Sequence, residues 1–261
     1  MSIYILLPAY NEALNIRPLL ESIDREFEEW SKRIGIDEGV DVFPIVVDDG
    51  SSDGTTQQAQ SYQGNLPVTV ITHEKNQGLA AALQTGLLHI LGRCNDDDVI
   101  VTLDADGTHP ARTIYSLADC VHNGAEIAVA SRYAKGGVER GVSLIRKILS
   151  RGARLTYHLF RPDIPLKDFS CGFRGFKARI LRRTVEEWGE RLFESPGFTC
   201  TGELMLKALP YAKRDAIVEI PFELQYDKKE GESKMPAFKT TIGTITLLMR
   251  ARTWARVDSR N

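Results

Sequence analysis

The chain has 261 residues, 43% hydrophobic and 26% charged, with a formal net charge of -2. That balance is ordinary for a globular protein of one large or two small domains, and it argues against a disordered or strongly nucleic-acid-seeking chain. Four cysteines (Cys94, Cys120, Cys171, Cys200) lie far apart, a pattern that suggests neither a disulfide framework nor a zinc site and points to a reducing, cytoplasmic compartment.

In chain order, "MSIYILLPAY" has no basic leader and reads as a first strand, Ile3 to Leu7, rather than a signal peptide. It runs into "PAYNE" (Pro8 to Glu12), where Pro8 and Tyr10 offer flat surfaces to a ring and Glu12 a carboxylate to ribose hydroxyls or base nitrogens. Leu14 to Trp30 repeats apolar residues at helical spacing, and Val42 to Val47 is a second strand. The next loop, "DDGSSDGT" (Asp48 to Thr55), reads in two ways. Asp48 is a second hydrogen-bond acceptor for a nucleoside, or the stretch is a helix-capping turn. A helix over Ser52 to Tyr62, a strand over Val68 to Thr72 and a helix over Leu79 to Leu91 follow.

The strand Val99 to Leu103 leads straight into "DADGTHP". Alternate strand residues share a face, so Asp104 and Asp106 are expected to point the same way. Two carboxylates side by side repel unless a cation sits between them. The stretch is therefore either a polar turn or a site for Mg2+ or Mn2+, which takes its other ligands from water and a substrate phosphate. His109 is a ligand or a loop residue beside Pro110. Ile127 to Ala130 is the last strand of this half, and the alternation implies a mainly parallel or mixed sheet with helices on both faces and ligands beyond the strands' carboxyl ends.

Four loops in one order, "PAYNE", "DDGSSDGT", "NQGLAAALQTG" and "DADGTHP", resemble family 2 glycosyltransferases with the GT-A nucleotide-sugar-binding fold, over roughly Ile3 to Tyr133 with further matches to Met235. The resemblance implies that Pro8, Tyr10, Glu12, Asp48, Asp49, Asn76, Gly78, Asp104, Ala105 and Asp106 hold a nucleoside diphosphate sugar, GDP-mannose or UDP-glucose, and that Asp104 and Asp106 hold the metal. "SRYAKGG", "DFSCGFRGFKA" and "GESKM" look like the polyprenyl-phosphate branch, the dolichol-phosphate mannose synthases and their bacterial relatives. By that likeness Ser131, Arg132, Lys228 and Lys234 bind a polyprenyl phosphate acceptor, and Arg132, Asp168 and Lys234 join the paired aspartates as catalytic residues. Thr108 stands where that branch usually has a glutamine, and Lys228 where it has an arginine.

The implied domains are a GT-A catalytic domain over 1–225, with a nucleotide-sugar half to about 130 and an acceptor half from about 131, and then the "GESKM" loop with an amphipathic helix over 226–261. The implied reaction is an inverting single displacement. An ionised acceptor phosphate needs no strong base; a hydroxyl acceptor, the alternative, would need one, with Asp168 or Glu203 as candidates. An inactive sugar-nucleotide-binding protein is the third reading.

From Ser131 to Arg191 there are 15 Lys or Arg against 6 Asp or Glu, a solvated face or an attraction for an anionic partner. Near the end Phe238, Ile242, Ile245 and Met249 recur at helical steps, with arginines and Trp254 after them. Such a stripe is either core packing or an interfacial anchor on the cytoplasmic face of a membrane. No run approaches the ~18 apolar residues of a membrane span.

Overall fold

The computed structural model of the chain describes residues 1–34, 39–142, 144–162, 164, 166–226, 237–252 and 254. The alternating apolar runs of the first half form β1 (Ser2–Ala9), α1 (Ile16–Ile34), β2 (Asp41–Asp48), α2 (Thr55–Gln60), β3 (Thr69–Thr72), α3 (Leu79–Leu91), β4 (Val99–Thr102), α4 (Arg112–His122) and β5 (Ile127–Ser131). The second half adds β6 (Val138–Arg140), α5 (Leu144–Phe160), β7 (Arg174–Lys177), α6 (Ala178–Trp188), α7 (Thr199–Ala208), β8 (Ile217–Pro221), β9 (Glu223–Gln225) and α8 (Ala237–Ala251). Lys228 and Lys234, with the rest of "GESKM", lie outside the described residues.

One sheet carries both halves, in the order β3-β2-β1-β4-β7-β5-β8, and β6 pairs with β9 in a small second sheet. Neighbours pair in parallel except β7, which is antiparallel to both β4 and β5. The sheet is thus mixed and mainly parallel, as expected. Because β7 reverses between them, β4 and β5 point the same way, and their carboxyl ends share an edge with those of β1 and β2.

Period-two alternation distributes β1 between two cores. Tyr4 and Leu6 pack on the side covered by α3, α6, α7 and α8, while Ile3, Ile5 and Leu7 pack on the side covered by α1 and α4. Burying each such side chain stabilises the fold by about 1.5–3 kcal/mol. Trp30, at the end of the stripe read in α1, is buried against Tyr115 of α4, ring centroids 5.2 Å apart.

Three expectations are corrected in detail. The helix after "DDGSSDGT" is shorter than Ser52 to Tyr62, because Ser52 and Asp53 are used to cap loops rather than to continue a helix. The fourth strand ends at Thr102, so Asp104 and Asp106 lie in a bend beyond it and their common orientation does not come from strand alternation. In α8 the buried face is Thr244, Leu247 and Leu248, whereas Ile242 and Met249 are exposed. Trp254 is partly buried, its ring meeting Trp188 of α6 at 5.1 Å against the core.

Candidate active site

Beyond the carboxyl ends of β1, β2 and β4 a cleft opens, lined by Pro8, Tyr10, Glu12, Asp49, Asn76, Gly78, Asp104, Ala105 and Asp106, together with Ala9, Leu79, Ala82, Gly197 and Phe198. Residues from four separate loops of the sequence therefore meet in one place.

Hydrogen bonds zip the first two loops together. Asn11 N donates to Ser51 Oγ (2.8 Å), Ser52 N to Asn11 Oδ1 (3.0 Å), Glu12 N to Thr55 Oγ1 (2.8 Å) and Ala13 N to Asp53 Oδ2 (3.0 Å). Asn11 adopts φ 51°, a left-handed conformation that asparagine tolerates better than most residues. Glu12 is buried and receives Asn15 Nδ2 at 2.7 Å, which fixes its carboxylate at the cleft wall. Gly50 brings the third loop in: at φ +69° its α-carbon lies so close to Lys75 and Asn76 that a Cβ would sit 2.4 Å from the Lys75 carbonyl carbon. No other residue fits there.

The adjacent aspartates divide their labour. Asp48 is not among the residues lining the cleft; its Oδ1 accepts from Ser51 N at 3.0 Å and from Ser51 Oγ, and its Oδ2 from Thr56 Oγ1. The carboxylate is spent on the turn, the second of the two readings. Asp49 faces the cleft instead.

Asp104 and Asp106 both line the cleft. Thr108, in the place of a glutamine, donates both its N–H (3.1 Å) and its hydroxyl (2.7 Å) to Asp106 Oδ1 and so holds that carboxylate. His109 is buried, stacked on Phe173 with centroids 4.9 Å apart and edge-on to Phe222, and its Nδ1 accepts from Asp104 N at 3.4 Å. It supports the loop from behind. Two hard carboxylates in one open cleft fit Mg2+ or Mn2+. Among the described residues no group of three or more His, Cys, Asp or Glu is placed to hold a metal ion by protein ligands alone, so the remaining ligands would be water and donor oxygens.

The acceptor-side residues are more tightly committed than their motifs suggest. Asp168 is fully buried and receives Arg132 Nε and Nη2, each at 2.7 Å, and Arg132 N at 3.0 Å. Burial raises the Asp168 carboxyl, but the charge and hydrogen bonds of Arg132 outweigh it and hold the group below the usual carboxylate range. The bidentate fork expected for a phosphate is therefore occupied, with Ser170 Oγ (2.9 Å) and Glu139 (3.6 Å) on its remaining edges. Ser131 is buried too, its Oγ accepting from Tyr133 N (3.2 Å) and Ala134 N (3.1 Å). Glu203 is fully buried; Oε1 takes Lys207 Nζ (2.8 Å) and Arg250 Nη2 (2.9 Å), and Oε2 the backbone N–H groups of Glu194 and Ser195. Asp168 and Glu203 are corrected as candidate bases, since each has both oxygens engaged in the interior.

Several participants are not among the candidate residues read from the sequence, although Arg174 lies within "DFSCGFRGFKA". Gly197 and Phe198 close the cleft from the start of α7, far from every motif. His73 holds Asp49 from behind, Nδ1 to Oδ1 at 2.8 Å. Arg174 is 1% exposed and ties two segments: Nη1 donates to the Thr201 carbonyl and Nη2 to that of Phe169 (2.7 Å), which fastens the "DFSCGF" segment to α7. Burial lowers its affinity for the proton.

The chain is 32% identical over 254 residues to a dolichol-phosphate mannosyltransferase of Pyrococcus furiosus, covering 97% of this chain and 64% of that protein. It is 32% identical to the Saccharomyces cerevisiae protein of the same name (88% and 80% covered) and 29% identical to a polyprenol monophosphomannose synthase of Mycolicibacterium smegmatis (88% and 80%). The chain thus spans just under two thirds of the length of the first and four fifths of the others. Among solved structures, a mannosyl-3-phosphoglycerate synthase from Rubrobacter xylanophilus superposes with a TM-score of 0.65 at 16% identity, covering 100% of this chain and 77% of that one, which shows the GT-A fold. Residues 4–185 match the family described as Glycosyl transferase family 2, a stretch that begins in β1 and ends in α6, and to that family this chain belongs.

Proposed function

We propose that this protein transfers a hexose, mannose foremost, from a nucleoside diphosphate sugar to a polyprenyl phosphate. The observation that carries the reading is the single cleft at the sheet's edge, to which "PAYNE", Asp49, Asn76 with Gly78, and "DADG" each contribute. The names of the relatives support mannose as the sugar and a polyprenyl phosphate as the acceptor; GDP-mannose is then the donor, and UDP-glucose the competitor to test against it.

In this reading Pro8, Tyr10, Glu12 and Asp49 hold the nucleoside, and Asn76 and Gly78 flank the diphosphate. Asp104 and Asp106 would hold Mg2+ or Mn2+, which supplies Lewis-acid stabilisation of the charge that gathers on the departing diphosphate. An acceptor phosphate oxygen attacks the anomeric carbon as the bond to the diphosphate breaks, one displacement with inversion. Phosphate monoesters are largely ionised at neutral pH, with a second pKa of about 6, so no protein base is required. The engagement of Asp168 and Glu203 in buried pairs supports this over the hydroxyl-acceptor reading. Arg132, with its fork on Asp168, contributes a fixed positive charge rather than a free bidentate contact; Lys228 and Lys234 are the remaining cations for the acceptor. The exposed Leu155 and Leu159 of α5 and Ile242 and Met249 of α8 are the surface by which it would meet a membrane.

The test is a thermal-shift series with GDP, UDP, GDP-mannose and UDP-glucose, with and without Mn2+, followed by transfer of radiolabelled sugar to a short polyprenyl phosphate or to a polyprenol. A manganese-dependent rise in Tm with one nucleotide, abolished in Asp104→Asn, and transfer to the phosphate alone are expected. Folded protein with no shift for any nucleotide would overturn the reading, and transfer to the polyprenol would replace the acceptor.

A further inference from the structure

Asp49 is both a wall of the cleft and the hub of the turn beside it. Its Oδ1 accepts from Gln77 N (2.9 Å) and its Oδ2 from Gly78 N (2.7 Å), so the carboxylate fixes the segment that carries Asn76 and Gly78. The side-chain donor to Asp49 is His73, the residue that follows β3, at 2.8 Å from Nδ1. His73 is itself anchored by its other ring nitrogen, Nε2, 2.9 Å from Thr85 Oγ1 on α3. Both side chains of the pair are withdrawn from solvent, 8% and 4% exposed. Because Asp49 Oδ1 is an acceptor, the ring proton belongs on Nδ1, which leaves Nε2 to accept from the Thr85 hydroxyl in the neutral imidazole.

We infer that His73 is a positioning residue for the donor: the string Thr85, His73, Asp49 sets the orientation of Asp49 and of the Gln77–Gly78 turn, and so determines nucleotide affinity without touching the reacting atoms. This rests on the reading of the cleft as the donor site. Nothing in the motifs marks His73; it lies between β3 and "NQGLAAALQTG" and acts through a carboxylate that belongs to another loop. A carboxylate in a cleft wall that loses its side-chain donor keeps its two backbone N–H partners but gains freedom to rotate and hydrate. Donor binding then weakens while the displacement, which takes place at Asp104 and Asp106, proceeds at its former rate once donor is bound.

Two conservative variants separate this role from mere packing. Asparagine places an amide N–H near the position of Nδ1, so His73→Asn keeps the contact to Asp49 and loses Thr85. Glutamine reaches the position of Nε2, so His73→Gln keeps Thr85 and loses Asp49. The experiment is calorimetric titration of GDP and of UDP, each with Mn2+, into the wild-type chain and the Asn, Gln and Ala variants, with Tm recorded for each. His73→Ala and His73→Gln are expected to bind the nucleotide about tenfold more weakly, the factor that ~1.4 kcal/mol produces, and His73→Asn to stay within about threefold of wild type. In transfer assays KM for the donor should rise with kcat within about twofold, the signature of lost uniform binding. Equal binding by wild type and His73→Gln, or rescue by Gln as good as by Asn, overturns the inference while leaving the cleft as a donor site. Wild type that binds neither nucleotide overturns the donor-site reading and the inference with it. The Asn and Gln comparison decides the matter even if the alanine variant does not fold.

Discussion

Arg132 and Asp168 form a bidentate ion pair with the carboxylate fully buried and the guanidinium 14% exposed. Removing one member of such a pair leaves the other without its counter-charge, so Asp168→Asn should lower the unfolding free energy by about 3 kcal/mol at pH 7. The sign of the pH dependence follows from the depressed carboxyl of Asp168 in the folded chain. Its stabilisation is fully present above the unfolded carboxylate value, near ~3.9, and is lost as pH falls through the lower folded value. Urea unfolding of wild type and Asp168→Asn should therefore differ most at neutral pH, with the gap closing below about pH 4; a gap that widens on acidification would contradict the pairing. At this scale the sequence was informative about which loops matter and poor about which atom of a loop does what. The two aspartates of "DDGS" are neighbours, and only the folded turn determines that Asp48 is consumed by Ser51 and Thr56 while Asp49 turns to the cleft. Asp168 and Glu203 read as chemistry because carboxylates are reactive; their partners Arg132 and Arg250 stand 36 and 47 residues away and are joined to them only by the fold, whereas Lys207 lies one helical turn from Glu203.

Elements are held to one another here by polar clasps as well as by apolar cores. Glu203 of α7 receives Lys207 from its own helix and Arg250 from α8, and Arg250 Nη2 also donates to Ser195 Oγ at 2.9 Å. Lys207 is fully buried, its ammonium 4.3 Å from the Trp188 ring centre and 4.9 Å from that of Trp254, whereas the Arg250 side chain is 34% exposed. The two cations should therefore not be equivalent. Lys207→Met, which strips the interior contact from Glu203 and leaves the carbonyls of Arg191 and Leu192 without their donor, is expected to cost about 3–5 kcal/mol in chemical denaturation. Arg250→Met is expected to cost about 1 kcal/mol, as a partly solvated pair does. Similar losses in the two variants would mean that the clasp is not graded by burial. The elements of the first half were legible because each pairs a short apolar run with an amphipathic helix, and period-two and period-3.6 patterns do not overlap there. β7 was not legible: "RGFK" has a glycine, two cations and no alternation, and it becomes a central strand because Arg174 finds carbonyl partners inside while Gly175 lets it lie against Leu117 of α4. A buried charged residue that donates to backbone oxygens leaves no hydrophobic trace in a sequence.

For the molecule as a whole, the reversal of β7 brings the carboxyl ends of β4 and β5 to one edge, so that the paired aspartates and the Arg132 turn open toward the same side of the sheet. No helix among the described residues is long and apolar enough to cross a membrane, yet the proposed acceptor is a lipid. The surface proposed to meet a membrane is made by α5 and α8, which pack on each other: Arg252 covers the Phe160 ring at 4.7 Å, while Leu155, Leu159, Ile242 and Met249 remain 60, 69, 51 and 57% exposed. Exposed leucines at i and i+4 beside exposed Arg151 and Arg252 suit an anionic bilayer surface, where apolar burial and attraction to headgroups act together. Solvent-facing positions tolerate substitution, so Leu155→Glu with Leu159→Glu should change folding stability by no more than about 0.5 kcal/mol. The same pair should reduce co-sedimentation with phosphatidylglycerol vesicles at least about tenfold, since each leucine loses on the order of 1.5 kcal/mol of burial and adds a repelled charge. Binding by wild type should also weaken as salt rises from ~0.1 M to ~1 M, where screening shortens from about 10 Å to about 3 Å. Met249→Glu tests α8 separately from α5. If both sets of variants sediment with vesicles as wild type does, the apolar face of these helices has another purpose, and the acceptor must be drawn from the membrane without the protein resting on it.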